Sequence, residues 1–237
     1  MTTEIELKYL VLGDNTQEKI SQTLNYENIQ FSYQEKQLAN CYFDTPDLNL
    51  RHHDMGLRVR RNNNHIEQTI KTAGQVVGGL HSRPEYNVDI ASERPILSLF
   101  PNVIWHEDQS PEHIQRELVA LFDTNFKRCT WLITDKSGNV VELAYDQGEI
   151  TSSDKKESIH ELEFELVEGE TSALFNLATL LFNVLALRPG IKSKAARGYA
   201  LWRTEPVLNQ SQQAGYICEK RSDSIASAFT HGLSQGL

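Results

Sequence analysis

Along most of the chain, apolar and polar positions alternate one by one, the period of a β-strand with a single covered face. The first such run is "TTEIELKYL", Thr2 to Leu10, with Glu4, Glu6 and Lys8 on one face and Ile5, Leu7 and Tyr9 on the other. Alternation, or enrichment in β-branched and aromatic residues, predicts further strands at "ANCYFDT", "GLRVRRN", "HIEQTIKT", "SRPEYNVDI", "KRCTWLITD", "NVVELAYDQGEI" and "SIHELEFELVEG". "RNNNH" (61–65) and "DKSGN" (135–139) carry the turn residues of hairpin tips. Helical spacing predicts helices over Thr16 to Asn28, after Ser110 (an N-cap ahead of Pro111), over Glu170 to Leu187, and in "KSKAARGYALWR" beyond the Pro189-Gly190 break. The pattern is α+β, mainly β. Eight strands with short, hence antiparallel, connections suffice to close a small barrel. The strand-rich part is expected to form one domain over residues 1–203. A polar linker over 204–218 and a C-terminal helix over 219–237 follow it.

The parity of the charges sharpens the picture. Arg58 and Arg60 share a face opposite Leu57 and Val59, Lys71 stands with Glu67 and Thr69, and Arg83 with Glu85. Glu142 and Asp146 oppose Val141, Leu143 and Tyr145, while Glu161, Glu163 and Glu165 oppose Leu162, Phe164 and Leu166. Two arrangements give this pattern. One is an antiparallel sheet whose charged face is in water, the commonest case. The other is a barrel turned inside out, with its charges in the bore and its apolar faces under helices. The charges are sorted: acids gather on the first and last strands, Arg and Lys on the middle ones. Carboxylates at i, i+2 and i+4 repel one another and call for a counterion. Hard divalent cations such as Mg²⁺ or Mn²⁺ suit them, and Arg and Lys suit phosphate oxygens. Acid and base in one cavity describe a metal-bridged polyphosphate.

Composition narrows the rest. The 237 residues carry a formal net charge of −9, which argues against a general nucleic-acid surface. No apolar run approaches the roughly 20 residues of a membrane helix, and no basic-then-apolar leader precedes the first strand, so a cytoplasmic location without membrane contact is expected. Cys41, Cys129 and Cys218 are too few and too scattered for a disulfide framework or a thiolate metal site. Trp105, Trp131 and Trp202 read as packing residues.

The ordered set "EIELK", "YFDTPD", "LRVR", "TIK", the arginine of "SRPEY", "ELEFEL" and "SKAARGY" resembles the CYTH superfamily, the triphosphate tunnel metalloenzymes. "HDMGLRVR", "KTAGQVVGGLHSRPEYNV" and "LAYDQGEI" are most similar to its bacterial inorganic triphosphatases. The resemblance implies an eight-stranded antiparallel β-barrel, an open-ended tunnel with a charged interior and helices packed outside. It implies hydrolysis of inorganic triphosphate, or another short phosphoanhydride, to diphosphate and phosphate with one or two Mg²⁺ or Mn²⁺ ions. Glu4, Glu6, Glu161, Glu163, Glu165 and Asp146 would hold metal, with Glu142 a weaker candidate. Lys8, Arg58, Arg60, Lys71, Arg83, Arg128, Lys194 and Arg197 would clamp substrate. Lys71, Tyr42 and Lys194 would act in catalysis, Tyr42 with Lys71 as a pair aiding the leaving group. Such triphosphatases often carry a C-terminal helical CHAD domain, and residues 219–237 read as its opening. The alternatives are a class IV adenylate cyclase, a thiamine, nucleoside or RNA 5′-triphosphatase of the same fold, or a non-catalytic polyphosphate-binding module.

Overall fold

The computed structural model describes residues 2–62, 65–77 and 79–203. The chain begins with β1 (Thr2–Val11), α1 (Thr16–Tyr26), β2 (Phe31–Asp44), the one-turn α2 (Asn49–His52), β3 (Gly56–Asn62) and β4 (His65–Lys71). A short β5 (Gln75–Val77), β6 (Leu80–Asp89), two 3₁₀ turns and α3 (Pro111–Glu117) follow. Three long strands, β7 (Val119–Thr134), β8 (Val140–Ser152) and β9 (Lys155–Glu168), precede α4 (Ser172–Phe182), the short β10 (Leu187–Pro189) and α5 (Lys194–Trp202). The strands run β1-β9-β8-β7-β2-β3-β4-β6, and β6 pairs back to β1, so eight antiparallel strands close. β5 and β10 are additions on β6 and β1.

Two strands begin earlier than their apolar pattern suggests. β2 starts at Phe31 rather than Ala39, and β7 at Val119 rather than Lys127, because they pair with each other from Phe31↔Ile133 to Asp44↔Val119. The mostly polar segment 32–37 is strand by virtue of that ladder rather than of its own alternation. α4 ends at Phe182 rather than Leu187, since Leu187–Pro189 is drawn into pairing with Val11–Tyr9. Ser110 caps α3 as its sequence suggests, accepting from the backbone N–H of His113. The expected linker over 204–218 and helix over 219–237 lie outside the described residues. Among the described residues, no helix is long and apolar enough to cross a membrane.

The apolar faces point outward. Leu7, Trp131, Leu143, Leu162 and Phe164 are buried under α1 and α4, against Ile20, Leu24, Leu174 and Leu181. On the other side of the barrel, Phe43, Leu57, Val59 and Ile70 pack beneath Leu97, Phe100, Ile104 and Ile114. A third cluster lies at one end. Leu38, Tyr42, Phe122, Phe126, Ile150 and Ile159 share faces with the bore charges and are covered by Tyr199 of α5. Tyr42 stacks on Phe122 at 4.6 Å, and the edge of Tyr199 meets Phe122 at 5.3 Å. α5 comes so close here that a Cβ at Gly198 would lie 2.0 Å from Phe122 Cε2. The Tyr199 hydroxyl donates to Asp44 Oδ2 at 2.9 Å, and Asp44 also accepts from the N–H groups of Leu50 and Arg51, tying α5 to α2. An apolar stopper lies at one end of the barrel, with α5 packed against it.

Candidate active site in the barrel bore

The period-two register places the charges in ranks across neighbouring strands. Glu142 of β8 stands opposite Glu165 of β9, and Glu165 opposite Glu6 of β1. The next rank sets Glu163 beside Lys8, and the one beyond sets Asp146 beside Glu161, with Arg128 of β7 across from Asp146. From the other side, Arg58, Arg60 and Arg83 enter a cavity of about 290 Å³, shared with Glu4, Tyr42 and Lys71.

The deeper ranks are charge-compensated. Arg128 grips Asp146 with both Nε and Nη2, at 2.8 and 2.7 Å, and reaches Glu163 Oε2 at 2.6 Å. Lys8 Nζ lies 2.7 Å from Glu163 Oε1, and Lys194 sits among Asp146, Glu161 and Glu163. Burial works against every charge in this group, yet Lys194, Lys8 and Arg128 hold the Glu163 carboxyl well below its ordinary range. Arg197 commits its guanidinium to Glu157, to Glu161 at 3.0 Å and to the carbonyl of Ser158. Asp146, Glu161 and Arg197 thus stand behind the cavity wall, not on it.

The outer rank is not compensated. Glu6, Glu165 and Glu142 face one another across three strands, and their nearest ammonium, Lys8 Nζ, is 3.9 Å from Glu6. Burial pushes the Glu6 carboxyl up to about 7, and the Glu163 and Glu4 charges add to the effect. Burial likewise lifts Glu165 to about 7, with the Glu4, Glu142 and Glu6 charges adding to the effect and Lys71 opposing it. Like charges directly opposite on a sheet destabilise it. Oxygen ligands with surplus negative charge suit a hard divalent cation, so Glu4, Glu6, Glu142 and Glu165 fit such an ion.

Across the bore the surplus is positive. Arg60 is tied by Nε to Asn40 Oδ1 at 2.8 Å, and Asn40 is itself held by Thr124 at 3.0 Å. Burial lowers Arg60 to about 9, assisted by Arg58 and Arg128. The buried Nε atoms of Arg58 and Arg83 have no hydrogen-bond partner. Such guanidinium donors suit the oxygens of an anion.

Lys71 bridges Glu4 and Glu85, the latter at 2.9 Å, and Tyr42 is the cross-strand neighbour of Arg58. The two lie in the same cavity, but each has another partner. Glu85, Asn40 and His81 also line it, and the strand pattern singles out none of them as site residues. Glu85 shares the Arg83 face and is legible by parity. His81 is not, because the apolar pattern opens that strand one residue later, at Ser82.

These shifts give a stability profile. Burial pushes the Glu85 carboxyl up, but Lys71 and Arg58 bring it down to about 2; Glu163 and Asp146 are also held low. Their contribution is lost as pH falls below the unfolded carboxylate range near 4. Glu6 and Glu165 have the opposite sign: their contribution is complete below about 4.5 and disappears as pH rises through 7. The metal-free protein is therefore expected to be most stable near pH 5 and to weaken toward pH 8. Urea midpoints in chelator at pH 5, 6, 7 and 8 check this. Glu165→Gln should flatten the alkaline limb; a limb as steep as the wild type's would exclude the Glu165 carboxyl as its cause.

The CYTH domain family model matches residues 2–199. An inorganic triphosphatase of Haemophilus influenzae is 35% identical over 201 residues, covering 85% of this chain and 55% of the relative, so the chain spans about half the length of that protein. Among solved structures, HpAC1 from Hippeastrum, an adenylyl cyclase candidate with a dominant triphosphatase activity, superposes with a TM-score of 0.60 at 20% identity. That match covers 83% of this chain and 95% of the other, a likeness of fold.

Proposed function

Because this chain belongs to the CYTH domain family, we propose that its bore binds inorganic triphosphate with a divalent cation, Mg²⁺ or Mn²⁺, and hydrolyses it to diphosphate and phosphate. One observation carries the reading. A cavity of about 290 Å³ holds an uncompensated rank of carboxylates on one wall and guanidinium groups with spare donors on the other. Only a ligand with negative oxygens throughout, accompanied by a cation, satisfies both walls.

The arginines do the binding. Arg58, Arg60 and Arg83 are held by β3 and β6 with donors free, so phosphate oxygens meet preformed partners, the usual route to stabilising phosphoryl transfer. Lys71 spends two of its three N–H groups on Glu4 and Glu85 and retains one for substrate; Lys8 keeps Glu163 ionised while facing the same cavity. Glu4, Glu6, Glu142 and Glu165 would hold the metal, which when bound polarises phosphate oxygens and acidifies a water. Arg128, Lys194 and Arg197 are committed to carboxylates, which leaves the clamp to Arg58, Arg60 and Arg83 with Lys8 and Lys71.

The rival within the fold is an organic triphosphate. A cavity of this size is at the lower edge of the roughly 300 to 1,000 Å³ of pockets for drug-sized ligands. Its two aromatic rings are already engaged: Tyr42 lies on Phe122, and Lys194 lies 5.1 Å over Phe126. Phosphate release from triphosphate, ATP and thiamine triphosphate, with cyclic AMP measured in parallel, discriminates. The expected kcat/KM for inorganic triphosphate exceeds that for ATP by at least about 10²-fold, roughly 3 kcal/mol of transition-state preference. Cyclic AMP formed as fast as triphosphate is cleaved would refute the assignment. Triphosphate bound without turnover in any divalent metal would leave a binding module.

A further inference from the structure

Asp146, Glu161 and Glu163 each offer an oxygen within 4.8 Å of the other two, the spacing of a carboxylate cage for a divalent ion. The cage is already filled. Lys194 Nζ, entering from α5, lies 2.7 Å from Asp146 Oδ2 and 2.9 Å from Glu163 Oε1, and is ion-paired with Glu161 Oε1. The ammonium donates a hydrogen bond to Glu163 Oε1 and is ion-paired with Asp146 and Glu161, so one cationic group already stands among all three acids. Lys8, Arg128 and Arg197 reach the same acids from other sides, so four cations surround three carboxylates. A dication entering beside Lys194 would meet a surplus of positive charge in a buried site, where repulsion is least screened.

We propose that Lys194 is a tethered cation that occupies the Asp146, Glu161 and Glu163 cage and keeps divalent metal out of it, confining the ion to the outer rank around Glu6 and Glu165. The exclusion rests on the contacts of Lys194 alone; the location of the remaining ion rests on the proposed triphosphatase function. Lys194 is then a positioning residue. It acts through Glu163, which it holds ionised beside Lys8 and Arg128, and it pins α5 across the end of the barrel. The outer rank differs: Lys71 bonds Glu4 at its edge, and Lys8 Nζ is 3.9 Å from Glu6, so no ammonium is shared among Glu6, Glu142 and Glu165 as Lys194 is shared among the three acids of the cage.

The test counts ions in the whole, chelator-stripped chain by titration with Mn²⁺, following free Mn²⁺ by electron paramagnetic resonance. Lys194→Ala is expected to bind one Mn²⁺ per chain more than the wild type, and the extra ion should disappear in Lys194→Ala/Glu161→Gln. An unchanged count in Lys194→Ala overturns the proposal, as does a wild-type ion lost through Glu161→Gln alone. Glu6→Gln/Glu165→Gln in the wild-type background removes the outer ion, so failure of the functional reading shows separately. Should Lys194→Ala unfold in chelator, millimolar Mn²⁺ must refold it, because the ion replaces the missing charge. Failure to refold counts against the proposal.

Discussion

Glu6→Gln is expected to lower triphosphate turnover by about 10²- to 10³-fold at saturating metal while making the metal-free protein more stable at pH 8. Loss of a metal's stabilisation of transition-state charge costs several kcal/mol, and each 1.36 kcal/mol is a factor of ten. Glutamine keeps the volume and one acceptor oxygen but not the charge. Glu6 is buried beside Glu163 and across from Glu165, and burial already drives its carboxyl up to about 7. Removing that charge removes repulsion from the fold. Opposite signs for activity and stability are what distinguish a ligand from a structural carboxylate, whose loss lowers both. Phosphate-release kinetics and urea unfolding at pH 8 measure the two. Turnover within about threefold of the wild type would take Glu6 out of the site.

Asp146→Ala is expected to behave as the structural case, with a loss of about 3–5 kcal/mol in unfolding free energy, the usual penalty for removing one partner of a buried ion pair. Asp146 has no exposed surface, receives both Nε and Nη2 of Arg128, and is one of three acids around Lys194. Its removal leaves four cations against two carboxylates. Asp146→Ala combined with Arg128→Met should recover part of the loss, because an apolar pair of similar bulk does not strand a charge. Equilibrium urea unfolding gives both values. A loss under 1 kcal/mol for the single variant would mean that water or other side chains readily compensate the cluster.

The alternation of charge was legible, and so was the eight-strand count, because both depend on neighbours in sequence. Whether Glu4 and Arg58 face water or a bore was not. A solvated sheet face and a lumen share the same period, and the difference is made by β6 returning to pair with β1, Glu4 opposite Arg83, across most of a hundred residues. The strand count and the sorting of acids from bases allowed a closed bore, and the resemblance agreed with it. The sorting within the bore was also hidden. Glu161, Glu163 and Glu165 alternate identically on one strand, yet Glu161 is sealed behind Lys194 and Arg197, Glu163 is shared, and Glu165 has only acids across from it. Asn40 escaped notice because it is uncharged, although it orients Arg60. The apolar stopper was half visible. On β7, Phe122, Thr124, Phe126 and Arg128 share one face, so that face changes from ring to charge within a few residues.

The packing of Tyr199 and Gly198 on Phe122 decides traffic through the molecule. With that end filled, a polymer of phosphates bound as proposed would not thread the barrel; it would insert one terminus and keep its tail outside. On the proposed function, cleavage would then be end-on, and the fragment lodged deepest would be the last to leave, backing out by the route it came in.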